Sequence, residues 1–164
     1  MATSIKKTTK KIVRKKDSKR TLKKSQVFTI ASEKKKFEWS NNTERVEIIR
    51  KGIPYQAIEV ISERIKSPVK SMLILMDIPQ TTYNKKKSER SLLDSRDSEL
   101  LLLITELLDY GVEVFNFEEE KFQRWLKKPN LSLNGQNPES LFDTVTGIEE
   151  VRFALNRIEF GMLA

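Results

Sequence analysis

Between residues 95 and 117 lies a segment that has to sit at the centre of whatever fold the chain adopts. Leu100, Leu101, Leu103, Ile104, Leu107, Leu108, Val112 and Phe115 fall within it, and at helical spacing they cover nearly the whole circumference. A helix that is apolar all round is stable only when other elements surround it. The pattern predicts one long helix from Ser95 or Ser98 to about Phe117, enclosed by shorter ones. Its longest unbroken apolar run, Leu100 to Ile104, is far shorter than the ~20 residues needed to cross a bilayer. It therefore reads as a core helix and not as a membrane span.

Punctuation on either side marks the surrounding helices. Asn42 or Thr43 suits the N-cap of a helix carrying Val46, Ile48 and Ile49, which stops at Gly52. Pro54 fits the first position of the next helix, whose Ala57, Ile58, Ile61 and Ile65 form a stripe. Ser67-Pro68 opens a third in the same way, with Val69, Met72, Leu73 and Met76 apolar. After a break at Asp77-Ile78, Pro79 precedes a polar, basic helix from Gln80 to Lys87. Beyond the central helix, the segment Glu118 to Lys127 has acidic residues at its start and lysines at its end, which complements the helix dipole. Asn134-Gly135 makes a turn, and Asn137-Pro138 opens a short helix through Phe142. Thr146-Gly147-Ile148-Glu149 has the spacing of a capping box. The last helix then places Ile148, Val151, Leu155 and Ile158 on one face before stopping at Gly161. No segment alternates convincingly in the manner of a strand, so the expected fold is all-α.

The net charge of +8 is unevenly distributed. Residues 1–36 hold fourteen Lys and Arg against Asp17 and Glu33, a net +12, whereas the remaining 128 hold seventeen against twenty-one, a net −4. The basic segment has no apolar period and cannot bury enough apolar surface to offset its ordering entropy. It is expected to be disordered, with order beginning near Phe37–Thr43 and the short patch Val27 to Ala31 docking only transiently. Three roles fit it: a solubilising arm, a nonspecific DNA arm acting through counterion release, or a segment that folds on another partner. Its one aromatic residue is Phe28, so base stacking is not its chemistry.

Cysteine and histidine are both absent, which removes disulfides, thiolate nucleophiles, imidazole bases and ordinary zinc sites. No pair of carboxylates or lysines stands in a recognisable catalytic frame. An enzyme is not expected, and neither is a metal or cofactor. The first lysines are not followed by an apolar core, so no secretory leader is read, and the expected location is cytoplasmic, with no membrane association.

Residues 67–87 have the outline of a helix-turn-helix, an apolar-faced helix, a tight turn and a polar helix able to enter the major groove. Any helical hairpin of this length shows the same outline. On the polar helix Gln80, Thr81 and Asn84 would face base edges. Lys85, Lys86, Lys87 and Arg90 would contact phosphates, although a lysine run is equally an ordinary solvated helix end.

The last forty residues carry the most specific signal. Three of the five glycines and two of the five prolines lie there. The phrases Trp125-Leu126-x-x-Pro129-Asn130, Asn134-Gly135-x-x-Pro138, Asp143-Thr144-x-x-Gly147-Ile148-x-x-Val151 and Asn156-Arg157-Ile158-Glu159-Phe160-Gly161 follow one another without gaps. Together they resemble the toxin-binding domain of bacterial Xre/MbcA/ParS-type antitoxins. The order of elements before them resembles the Xre-type helix-turn-helix domain, and the resemblance as a whole covers roughly residues 43–164. There are departures. Asp77 stands where the family often has Gly in the turn, Pro79 where Ser or Thr caps the second helix, and Thr81 where a basic residue is frequent. Ser98-Glu99-Leu100-Leu101 replaces the common Ser-Glu/Asp-Arg-Leu, exchanging an arginine for Leu100.

After a basic tail (1–40) read as disordered from its composition, the resemblance implies an Xre-like helix-turn-helix domain (41–117) and a small helical toxin-binding and dimerisation domain (118–164). It implies the antitoxin of a type II toxin–antitoxin pair, a homodimer without a cofactor. Such a protein would block the active site of a RES-domain toxin, NAD-consuming or ADP-ribosylating, and would repress its own operon by binding operator DNA. The toxin-facing residues it points to are Arg157, Glu159, Phe160, Gly161, Met162, Leu163 and Ala164. Without the resemblance these read as a helix end fraying into solvent, and Trp125 reads as a packing residue before a contact. Pro129-Asn130 and the 133–138 loop are polar and rigid together, which is less expected of a passive connector. The rival is a stand-alone helix-turn-helix transcription regulator whose C-terminal domain serves only dimerisation. A toxin-sized neighbouring reading frame separates the two.

Overall fold

In the computed structural model, which describes residues 26–32 and 35–161, the chain wraps around one helix. A hairpin of β1 (Phe28–Ser32) and β2 (Lys35–Trp39) leads into α1 (Asn42–Lys51), α2 (Ala57–Arg64), α3 (Val69–Leu75) and α4 (Gln80–Ser88). The central helix α5 (Ser95–Val114) follows, then α6 (Glu119–Leu126), two 3-10 turns (Leu131–Leu133 and Pro138–Leu141) and α7 (Val145–Glu159). As its pattern demands, α5 is covered on several sides at once, by α1, α2, α7 and the hairpin. Leu100, Leu101, Leu102, Ile104 and Leu107 are wholly enclosed, each burial contributing about 1.5–3 kcal/mol. The mid-helix hydroxyl of Thr105 is satisfied locally, donating to the Leu101 carbonyl at 2.8 Å.

Strands are present after all. The expectation of disorder through residue 36 fails at Phe28–Ser32 and Lys35–Lys36, and the absence of any strand fails with it. Phe28 pairs with Trp39 and Ile30 with Phe37 in antiparallel register, so the apolar residues of both strands share one face. Ile30 and Trp39 are buried, and Phe28 stacks on Trp39 at 5.7 Å between ring centroids. An isolated two-stranded hairpin is marginal in water. This one is held by packing on α2 and α5, a support that no local pattern reveals.

Helix boundaries follow cap chemistry, with shifts from the expected positions. Asn41, not Asn42 or Thr43, caps α1, its side chain accepting from the Glu44 amide at 3.0 Å while the Glu44 carboxylate accepts from the Ser40 amide at 2.7 Å. Gly52 ends α1 at φ +77°, where an added Cβ would lie 2.7 Å from the Leu93 carbonyl oxygen. Pro54 does not open α2. It bridges to Leu92 while the Leu93 amide donates to the Ile53 carbonyl at 2.8 Å, and that extended pairing delays the helix to Ala57. Thr144 caps α7 through the Gly147 amide at 3.0 Å, so Thr146 and Glu149 lie inside the helix and form no capping box. At Gly147 the backbone runs so close to Leu141 that a Cβ would meet its carbonyl oxygen at 2.2 Å.

The helix-turn-helix segment and the C-terminal segment share one apolar core. The bridge between them is Gly111 on α5, against whose backbone the Phe122 ring of α6 lies flush. Phe115, Phe122 and Trp125 then form an aromatic cluster with centroids 5.6, 5.8 and 6.1 Å apart. Trp125 is therefore a packing residue.

Candidate DNA and partner interfaces

A tight turn joins α3 and α4. The Ile78 amide donates to the Leu73 carbonyl at 2.8 Å, with Asp77 at φ +57°. This left-handed position favours Gly, and Asp is among the few other residues that tolerate it. Asp77 thus performs the turn geometry expected of a glycine. Pro79, extended at φ −60° and ψ 138°, starts α4 without a side-chain cap.

Only Tyr83 of α4 is buried. Its ring packs near Tyr55, and its hydroxyl donates to the Glu59 carboxylate on α2 at 3.0 Å. Lys87, one turn on, pairs with the same carboxylate and lies 5.9 Å from the Tyr83 ring centroid. The Lys87 hydrogen bond holds the Glu59 carboxyl below its ordinary range. Burial, then Glu59, pushes the Tyr83 hydroxyl well above its usual value. Of the residues assigned to DNA, Lys87 is therefore engaged by Glu59 and, though partly exposed, ties α4 to α2. Gln80, Thr81, Asn84 and Lys85 are exposed, and the Gln80 amide donates to Asn84 at 3.1 Å, fixing both side chains on the outer face. Lys86 flanks that face half-buried, and Arg90 sits just beyond the helix at φ +55°.

At the other end of α5, α7 closes against Tyr110. The Tyr110 hydroxyl donates to Glu159 at 2.6 Å and also meets the Asn156 side chain. Burial first, and Glu159 next, raise that hydroxyl above its ordinary range. Glu159, itself exposed, is thus bonded back to α5, while Phe160 stands 68 % exposed beside an exposed Gly161 and a half-buried Arg157. Met162, Leu163 and Ala164 lie outside the described residues, as do residues 1–25 of the basic tail.

The loop before α7 is cross-braced. Asn130 accepts from the Ser132 amide at 2.9 Å and the Ser132 hydroxyl at 2.8 Å, and its own amide donates to Gln136 at 3.0 Å across the Asn134-Gly135 turn. Both turn residues have positive φ, 54° and 78°. This frame projects Leu131, 94 % exposed.

Two family descriptions match in tandem. An antitoxin Xre-like helix-turn-helix domain covers residues 44–106, and an antitoxin Xre/MbcA/ParS C-terminal toxin-binding domain covers 111–161. The chain belongs to the Xre/MbcA/ParS antitoxin family. It is similar to Antitoxin Xre of Photorhabdus laumondii, 25 % identical over 71 % of this chain and 79 % of the relative. Antitoxin Xre of Yersinia enterocolitica is 25 % identical over 76 % and 84 %. A protein of a Sphingobium species named Prs ADP-ribosylating antitoxin is 28 % identical over 74 % and 81 %. Family membership makes the chain an antitoxin and not an enzyme. Among the described residues no helix is long and apolar enough to cross a membrane.

Among the exposed apolar residues that escaped sequence reasoning, Phe153 and Leu131 lie in the segment matched by the toxin-binding domain. Phe153, 53 % exposed, lies on the outer face of α7 seven residues before Phe160, and its position off the buried stripe was the available signal. Leu131 had none, because Leu131 and Leu133 read alike in sequence and only the turn sends one outward and the other into the core.

Proposed function

We propose that the antitoxin neutralises a RES-domain toxin that consumes NAD or transfers ADP-ribose, by placing the end of α7 against the toxin's active site, and that it represses its own operon as a homodimer through α3 and α4. The observation that carries this is the asymmetry at the end of α7. Glu159 is bonded back to Tyr110, whereas Phe160 is left outward with Arg157 three residues before it. An exposed aromatic beside a guanidinium is the composition of an interface anchor, and Arg157 can offer a charge-assisted fork to a carboxylate of the toxin. Residues 162–164 would extend the same contact. The match to a toxin-binding domain over 111–161 supports this assignment. The name of the Sphingobium relative supports a link to ADP-ribosylation.

For DNA, Lys85, Lys86 and Arg90 would meet phosphates while Gln80, Thr81 and Asn84 face bases. Two copies would read inverted half-sites about one turn apart, ~34 Å.

Co-expression with the neighbouring reading frame is the test. Phe160→Ala combined with Arg157→Glu, which leaves Glu159 in place, is expected to abolish rescue of growth while the protein still protects upstream DNA. Rescue equal to that of the unaltered chain overturns the α7 assignment and moves it to the Pro129–Pro138 loop. DNA protection with no toxic neighbouring frame supports the stand-alone regulator instead.

A further inference from the structure

Phe117 combines a strained backbone with an exposed ring. Asn116 and Phe117, which join α5 to α6, both lie in the left-handed region, at φ +53° and +64°. A side chain there crowds its own backbone, which Asn tolerates and a bulky residue does not. Among the described residues six other than glycine have positive φ. Five are Lys, Asp, Arg or Asn, and only Phe117 is apolar. The turn is nonetheless fixed. The Asn116 amide donates to the Glu113 carbonyl at 2.9 Å, the Phe117 amide to that of Val112 at 2.8 Å, and the Glu118 amide to that of Phe115 at 3.0 Å. A helix-ending turn of this kind commonly folds an apolar residue back onto the helix, yet Phe117 is 75 % exposed. Phe115, two residues earlier, fills the aromatic cluster instead.

Its neighbours place this ring beside the end of α7. Phe115 and Asn116 line an open groove of about 460 Å³ together with Ile158 and Glu159. Phe117 and Phe160 therefore flank the same groove, each next in sequence to a lining residue. The groove's carboxylates are already engaged, Glu113 by Gln26 at 3.0 Å and Glu159 by Tyr110 at 2.6 Å. This end of the molecule thus offers a partner its two exposed rings more than its charges.

We propose that Phe117 is a second anchor for the toxin, entering an apolar recess beside the one that takes Phe160. The proposal rests on the toxin contact assigned above to the end of α7. Continuity with Phe160 favours the toxin as the occupant, and both rings lie within the segment matched by the toxin-binding domain, 111–161. Aromatic rings are enriched at the centres of protein interfaces. A turn locked by its own hydrogen bonds loses little freedom on docking, and backbone strain of this sort is typically kept where a contact needs it.

Calorimetric titration of the full chain with the purified product of the neighbouring reading frame, paired with thermal unfolding, tests this. Asn suits the left-handed turn, so in Phe117→Asn the unfolding midpoint is expected to hold or rise while toxin affinity falls by about tenfold or more. Phe117→Trp keeps a ring and should bind nearly as the unaltered chain does. A lowered midpoint for Phe117→Asn would place the ring in the fold and overturn the proposal. Undiminished affinity in Phe117→Asn, where Phe160→Ala with Arg157→Glu loses it, overturns the proposal and leaves the α7 contact standing. No binding by the unaltered chain overturns both. Lost affinity together with a change from dimer to monomer in sedimentation overturns it in favour of a second copy as the occupant.

Discussion

The indole Nε1 of Trp39 donates to Oε1 of Glu106 at 2.7 Å, sixty-seven residues away in sequence and inside the fold. The same carboxylate takes Arg45 at 2.8 Å through both oxygens and Arg152 at 3.6 Å. One buried anion on α5 thereby ties together β2, α1 and α7. A buried carboxylate is tolerated because it is paired and hydrogen-bonded.

Trp39→Phe keeps an aromatic ring in the core but removes this donor. The expected loss is about 1.5–3 kcal/mol, the range for hydrogen bonds to charged groups, read as a lower urea midpoint at an unchanged slope. An unchanged midpoint would show that packing alone holds the hairpin.

Gly111→Ala should destabilise even though Ala is the better helix former by about 1 kcal/mol. The new methyl would sit 2.2 Å from the Phe122 ring tip, and overpacking of this kind costs about 1–3 kcal/mol. Phe122→Leu in the same chain should relieve part of that cost. The double mutant is then less destabilised than the sum of the singles, whereas strict additivity would count against the close approach.

Acid should loosen α4 through Glu59. Its folded pKa is lowered from 4.5 by Lys87 and then Tyr83, opposed by partial burial. Its contribution to stability is therefore fully present above 4.5 and lost as pH falls through the folded value. Thermal unfolding between pH 6 and pH 3, compared with Glu59→Gln, should show the two proteins converging as pH falls. Asp97, whose carboxyl is raised by burial and by Asp94, has the opposite sign but is common to both and cancels in the difference. Parallel curves would exclude Glu59.

Lys85 and Lys87 should part company. Lys85→Ala is expected to leave stability unchanged and to reduce the salt slope of operator binding by about one phosphate. Lys87→Ala removes the partner of Glu59 and should lower stability as well, by a fraction of a kcal/mol given its partial exposure. Equal stability for both variants would show that the Lys87 pair contributes nothing.

By itself the sequence determined the helical class, the central place of α5, the succession of helices and the family. These rest on signals carried within a few turns of chain, such as the apolar circumference of Leu100–Phe115, the stop at Gly52 and the gapless phrases from Trp125 to Gly161. Tertiary structure decided the rest. The hairpin exists because α2 and α5 cover Ile30 and Trp39, a long-range burial that its lysine-rich surroundings conceal. Lys87 is paired because Glu59 faces it from another helix, so four similar cationic side chains, Lys85, Lys86, Lys87 and Arg90, acquire different environments. Glu159 is withdrawn toward Tyr110 while Phe160 is left outward. Periodicity reports which face of a helix is apolar, but only the neighbours assembled in space determine which polar groups are engaged and which remain free for a partner.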